Sequence, residues 1–321
     1  MPLLKLIPDD TNIDFMRWRN VGLILSILLT IASVALVAVR GLNMGVDFEG
    51  GQMIRASFSQ PVDVDDLRDR ISGLGFGDAT IQEFGSAREI AIRTELPESG
   101  GEAAANAAAE RIKDTVLQVR SDAKFDAVET VSGKVSDELI RSGALAIGLA
   151  MLGIAIYIWV RFEWQFGVGA LTTLFHDVAL TMGFFSLTQL EFNLNIVAAI
   201  LTIVGYSLND TVVIYDRIRE NLRKYRKMEV VPLLNLSLNE TLSRTIVTSL
   251  SIMIALLILV LFGPDVIFGL TAAVLLGTFI GTYSSIYISA PMLVWLKVKP
   301  DSFVPKEAKT GERTYTEGYE R

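Results

Sequence analysis

Hydrophobic positions in this chain gather into six long apolar runs, broken by one polar stretch of about a hundred residues and several short charged gaps. The first run, residues 21–39, carries no charge over nineteen positions. At about 1.5 Å per helical residue, that length crosses about 30 Å of hydrocarbon. A cleaved secretory signal has a shorter apolar core and a small-residue cleavage site. Val37, Ala38, Val39 and Arg40 fit that poorly, so the run is expected to remain as an anchor. Five further runs cover 143–160, 166–187, 192–215, 245–262 and 266–294. The last is long enough to imply tilt or an interfacial extension. Residues 1–20 form a short polar start, a charged loop is expected over 216–244, and 295–321 reads as a flexible tail.

The polar stretch, 41–141, has its own pattern. Residues 53–58 alternate as a strand does, and 64–74 place apolar residues at helical spacing. Segments 80–84 and 89–94 read as paired strands around a turn at Gly85 and Ser86. An Ala-rich helix over 102–119 follows a break at Gly100 and Gly101, and 125–131 supplies a last strand. The order β-α-β-β-α-β is the split-βαβ, ferredoxin-like arrangement, a four-stranded sheet with two helices on one face. The fold class is therefore an α-helical polytopic membrane protein with six transmembrane helices and one extramembrane α+β domain.

Composition sharpens that picture. Hydrophobic residues make up 51% of 321, with a mean hydropathy of +0.43, as expected of a membrane protein with some aqueous mass. There is no cysteine and one histidine, His176, which excludes disulfides, thiolate chemistry and His-rich or Cys-based metal sites. A net charge of −7 gives no footprint for nucleic acid. The insertion 41–141 holds 11 Lys+Arg against 19 Asp+Glu, so the acidity is concentrated there and the remainder is slightly basic. Arg217, Arg219, Arg223, Lys224, Arg226 and Lys227 crowd one loop, while Lys5, Arg17 and Arg19 mark the start and Lys297, Lys299, Lys306 and Lys309 the tail. Six crossings put all three on one face, which the positive-inside rule makes cytoplasmic, with the acidic domain opposite.

Four groups of residues carry candidate chemistry. Asp210 lies inside an apolar run; at mid-bilayer an aspartate costs about 2.5–3.5 kcal/mol, so it is retained for a task or a partner. Asn209 and two hydroxyl residues, Ser207 and Thr211, surround it and could hold water, and Arg244, at the start of the next run, is the nearest candidate partner. Such an acid can bind and release a proton; the plainer readings are an end-of-helix carboxylate and a positive-inside arginine. His176 and Asp177 sit together in the third run, either satisfied by neighbouring helices and water or contributing to a proton path. Their side chains leave a helix about 100° apart and are not expected to face one another. The stretch 45–51, GVDFEGG, holds Asp47, which can cap its own turn, Phe48, and Gly50 and Gly51, which permit positive φ; a structural corner between anchor and sheet is the expected role. Gly277 and Gly281 form a GxxxG through which a second helix can approach. No catalytic constellation with an aqueous pocket is apparent.

GVDFEGG after the first run, FHDV in the third, GYSLNDTVVIYDRIREN across the fourth and NETLSRTIVTS leading into the fifth resemble the SecF family, the smaller half of the SecD–SecF accessory pair of bacterial protein export. The resemblance covers roughly residues 15 to 298 and is most specific over 205–221. It implies a six-helix half-transporter of the resistance-nodulation-division kind, in the inner membrane, with both termini cytoplasmic and a periplasmic domain after the first helix. It further implies a SecD-like six-helix partner, the SecYEG channel and its accessory subunits, a translocating polypeptide, protons as the energy source, and no cofactor. The acid of the SLNDT segment and the Arg of the SRT segment, here Asp210 and Arg244, belong in that family to the proton-conducting core. A small-solute proton antiporter and a purely structural assembly subunit stand as the alternatives.

Overall fold

The computed structural model describes residues 8, 11–76, 79–84, 86–97, 101–126 and 128–298. The expected tail from 299 onward, the basic residue Lys5, and the turn positions Gly85 and Gly100 lie outside the described residues.

Six helices among these residues are long and apolar enough to span a membrane. Helix α1 is Arg19–Arg40, entered through a 3₁₀ turn at Phe15–Trp18; α5 is Gly133–Arg161, α6 Trp164–Thr188, α7 Leu194–Lys224 and α8 Val230–Phe262. The sixth span comprises α9, Phe268–Ser284, a π turn over Ser285–Ser289, and α10, Ala290–Trp295. Between α1 and α5 lie α2 (Val46–Glu49), β1 (Gly51–Ser57), α3 (Val64–Ser72), β2 (Thr80–Phe84), β3 (Ser86–Thr94), α4 (Gly101–Val119), β4 (Lys124–Phe125) and β5 (Glu129–Val131). The most hydrophobic windows of α6, α7 and the sixth span are 50, 50 and 56% buried, against 17, 6 and 11% for α1, α5 and α8. Three helices therefore form an inner layer and three an outer one, and polar side chains such as Thr173, Ser207 and Thr278 on the inner three are buried.

Small residues set the inner spacing. A Cβ added to Gly277 on α9 would collide with Ile203 of α7, and one added to Gly281 would come within 3.1 Å of the Ser207 Cβ. On the other side of the bundle Gly183 of α6 meets Ser33 of α1 in the same way. Without a hydrophobic drive between helices in lipid, such close backbone approach is a main source of association.

In the domain, β1 pairs antiparallel with β3, β3 with β2, and both β4 and β5 with the other edge of β1. The spatial order β2-β3-β1-β4 is that of a split-βαβ sheet. Ile54 and Ala56 of β1, with Ile90 and Ile92 of β3, share one core with Leu67 and Ile71 of α3 and Ile112 and Val116 of α4. The last strand, expected over 125–131, is instead two short pieces, and between them Asp126 N donates to Arg55 O at 3.1 Å. Glu191, under this sheet at the α6–α7 turn, has its carboxyl pushed up by burial, with Arg55 and Arg93 opposing the shift.

Two other elements differ from their sequence pattern. The expected loop 216–244 is helical except for a short turn, because Leu233, Leu234, Leu238 and Leu242 recur on one face of α8 and bury against Ile214, Ile218 and Leu222 of α7. The long sixth run is not a uniform helix either. Its π turn precedes Pro291, whose missing N–H cannot continue the ladder.

Asp122 closes the α4–β4 turn, accepting from Arg120 Nε at 2.9 Å and from Ser59 N at 3.0 Å. The Arg120 bond first, then those from Ser59, hold its carboxyl well below the usual carboxylate range. A depressed folded value stabilises above the unfolded value of about 4 and is lost as pH falls. Thermal melts of wild type and Asp122→Asn should therefore differ at neutral pH and converge as the buffer is taken below about pH 4.

Candidate functional site

The inner helices bring two carboxylates into a belt of hydroxyl groups. Asp177, halfway along α6, is fully buried. It accepts from Ser207 Oγ of α7 and, at 3.0 Å, from Ser284 Oγ of α9, while His176 Nδ1 lies 2.8 Å from its other oxygen. Asp210 of α7 is 3% exposed and accepts from Ser249 Oγ of α8 at 3.3 Å. That same serine oxygen accepts from Tyr206 Oη at 3.0 Å and from Thr282 Oγ1 at 2.9 Å. The Ser249 hydroxyl offers one donor and two acceptor positions, enough for all three partners, while the one proton of Thr282 is shared between Ser249 Oγ and Thr278 O, each at 2.9 Å. Four helices are tied at one level by these contacts.

Burying a carboxylate in apolar surroundings is costly unless hydrogen bonds or opposite charge compensate. Asp177 has three polar neighbours, and Asp210 has one hydroxyl. The expected facing pair of Asp210 and Arg244 is not formed as a direct ion pair. Arg244 is exposed on α8, whereas Asp210 is buried. Arg244 and Ser249 are five residues apart on one helix, and it is the serine whose side chain turns inward. The opposite correction holds for His176 and Asp177: although successive on a helix, their side chains meet, because both lie on the buried side of α6 and the imidazole spans the angle between them.

Asn209 stands apart from the cluster on an exposed face of α7. Gly277 and Gly281 lie against α7, as described. In the GVDFEGG stretch, Gly50 and Gly51 have φ of +74° and +109°, and a Cβ on Gly51 would lie 2.8 Å from Thr94 O of the neighbouring strand. Phe48 packs on Phe192, with ring centroids 5.8 Å apart. Asp47 does not cap its own turn; its carboxylate accepts from Leu194 N at 2.9 Å and so ties the start of the domain to the start of α7. Asn43 reinforces this, its carbonyl accepting from Phe192 N at 2.7 Å. The residues that sequence reasoning passed over are Ser249, Tyr206, Thr282 and Ser284. Their one signal is polarity within apolar runs, which hydroxyls bonded to their own helix share.

The fold and these buried groups define a multi-pass membrane protein whose inner helices hold ionisable groups at membrane depth, with a small sheet domain inserted after the first span. Two family models match the chain: protein export membrane protein SecD/SecF, C-terminal, over residues 111–299, and the SecD/SecF GG motif over 35–62. Protein translocase subunit SecF of Rickettsia rickettsii is 45% identical over 292 residues, 90% of this chain and 94% of that one. The subunit of the same name from Cereibacter sphaeroides is 44% identical over 300 residues, 92% and 93% of the two chains. The chain belongs to the SecF family of protein translocase subunits. A crystal structure of SecDF from Thermus thermophilus, described as a translocon-associated membrane protein, superposes with a TM-score of 0.81 at 34% identity. It matches over 91% of this chain, which spans 40% of that longer one.

Proposed function

We propose that this chain is the smaller half of a proton-driven machine that assists polypeptide export, with Asp210 as the group that takes up and releases the proton. The observation that carries the reading is a carboxylate 3% exposed within a membrane-spanning helix, held by one hydroxyl and not locked in an ion pair. An acid so placed is poised between charged and neutral forms, since water is scarce and only the Ser249 hydroxyl and a distant guanidinium favour the anion. Protonation removes the charge and the pull of Arg244, and Ser249 is then free to turn toward another acceptor. Because Ser249 also gathers Tyr206 and Thr282, the contact between α7, α8 and α9 changes with the proton. Each charge crossing the membrane supplies about 2.3 kcal/mol per 100 mV, enough to bias two packings of a bundle by well over tenfold. Asp47 and Asn43 pass such movement to the sheet domain, which would rock against the emerging polypeptide and prevent backsliding.

A SecD-like six-helix companion is the expected partner, supported by the length of the Thermus SecDF chain beyond the matched part. The SecYEG channel with its accessory subunits is the proposed site of action. In a bacterial inner membrane, the basic turn after α7 would face the cytoplasm, with both termini, and the sheet domain the periplasm. Membrane vesicles carrying the complete machinery test this: proton flux should rise when a polypeptide is in transit and fall to background without one. Flux independent of polypeptide would favour a small-solute antiporter, and no flux in either case a structural subunit.

A further inference from the structure

One face of α8 repeats a hydroxyl every fourth residue: Ser237, Thr241, Thr245 and Ser249, all buried. Four residues rise about 6 Å, so the row covers about 18 Å from the Asp210 level toward the basic end. Hydroxyls bonded back to their own helix are ordinary in membrane spans, and two of these are of that kind: Ser237 donates to Leu233 O at 2.9 Å and Thr241 to Ser237 O at 3.0 Å. Thr245 is different. Its Oγ1 is buried without a partner, although the residue is 2% exposed and lies one turn from the serine that bonds Asp210. Thr211 Oγ1, beside Asp210 on α7, is buried and unpartnered as well. An orphaned hydroxyl in a bundle interior is satisfied by internal water, and a gap of about 6 Å between hydroxyls is bridged by one water.

The row ends beside groups that reach the solvent. Ser237 Oγ accepts from Asn221 Nδ2 at 3.0 Å, and Asn221 donates to Glu240 Oε2 at 2.7 Å. Glu240 pairs with Arg217 at 2.7 Å, and these side chains are 26 and 34% exposed, so the carboxylate reaches water at the basic end.

We propose that the hydroxyl row Thr245, Thr241 and Ser237, bridged by internal water, is the path by which the proton leaves Asp210 for the solvent at the basic end, beside Glu240. Asp210 gives its proton to a neighbouring water, which passes one of its own to Thr245. Each hydroxyl accepts a proton as it gives up its own, and past Ser237 the proton passes through water to the solvent, because Asn221 Nδ2 is a donor and cannot carry it. Thr245 is the positioning residue: it touches the water, not the acid. This rests on Asp210 being the proton carrier, and the test separates the two claims.

Vesicles carrying the complete machinery and a polypeptide in transit, with a pH-sensitive dye reporting proton release, are compared for wild type, Thr245→Val, Thr245→Ser and Asp210→Asn. Valine keeps the shape and removes the hydroxyl; serine keeps the hydroxyl. Thr245→Val should slow proton release by about tenfold or more, with Thr245→Ser near wild type and Asp210→Asn silent. Thr202→Val, on an exposed face of α7, should be unaffected. Wild-type flux in Thr245→Val alongside a silent Asp210→Asn overturns the path and leaves the acid in its role. Equal losses in the valine and serine variants overturn it too, since the hydroxyl would then not matter. Undiminished flux in Asp210→Asn overturns both claims.

Discussion

Asp210→Asn should stop proton-driven export while leaving membrane insertion and assembly with the partner intact. The asparagine has the same shape and can still accept from Ser249, so the junction of α7, α8 and α9 keeps its packing. What it cannot do is change ionisation. Loss of a positioned proton-transfer group costs about 10² to 10⁴ in rate, so proton-dependent export should fall to background. The measurement is translocation of a secreted polypeptide into inverted vesicles, with and without the proton gradient, beside the amount of complex recovered. Export that remains stimulated by the gradient in the variant would remove Asp210 from the mechanism.

Gly277→Leu is expected to have the largest effect on stability. Gly277 meets the Ile203 side chain with no space for even a Cβ, and both helices belong to the half-buried inner layer. A leucine there must push α9 off α7, taking Gly281 away from Ser207 and Ser284 away from Asp177. Overpacking of a tight interior costs about 1–3 kcal/mol and more when backbone must move. Thermal denaturation of the detergent-solubilised complex should show an earlier transition, and Ile203→Ala in the same chain should recover part of it, since contacting residues couple. A double variant no more stable than Gly277→Leu alone would mean the contact does not set helix spacing.

The six spans were legible because predominantly apolar runs of 17 residues or more have few alternatives to a membrane helix. The domain was legible because alternation in β1 and helical spacing in α3 and α4 arise from the same core that the structure shows around Ile54, Leu67 and Ile112. Where charge dominated the pattern, reading failed. The 216–244 segment has enough Arg, Lys and Glu to read as a loop, yet its leucines at every third or fourth place bury against α7 and extend a helical hairpin past the apolar run. The break between β4 and β5, and the π turn before Pro291, are local departures that no periodicity announces.

The site was half legible. His176, Asp177 and Asp210 stand out as ionisable groups among apolar neighbours, and all three are buried. Their partners are not, because Ser284 is 107 residues from Asp177 and Ser249 is 39 from Asp210, and a serine in an apolar run carries no mark of which helix it will meet. Asn209 was singled out by adjacency, but one helical position is enough to turn it from the interior to the surface. Arg244 was chosen by charge, whereas the inward position on α8 belongs to Ser249.

The most direct measurement is infrared difference spectroscopy of the complete complex in membranes, stepping the proton gradient on and off while a polypeptide is held in transit. A protonated-carboxyl band should appear and vanish with the gradient, persist in Asp177→Asn, and be missing in Asp210→Asn. A band that stays constant through the step, or one that survives unchanged in Asp210→Asn, would show that this acid keeps one ionisation state and does not couple the gradient to export.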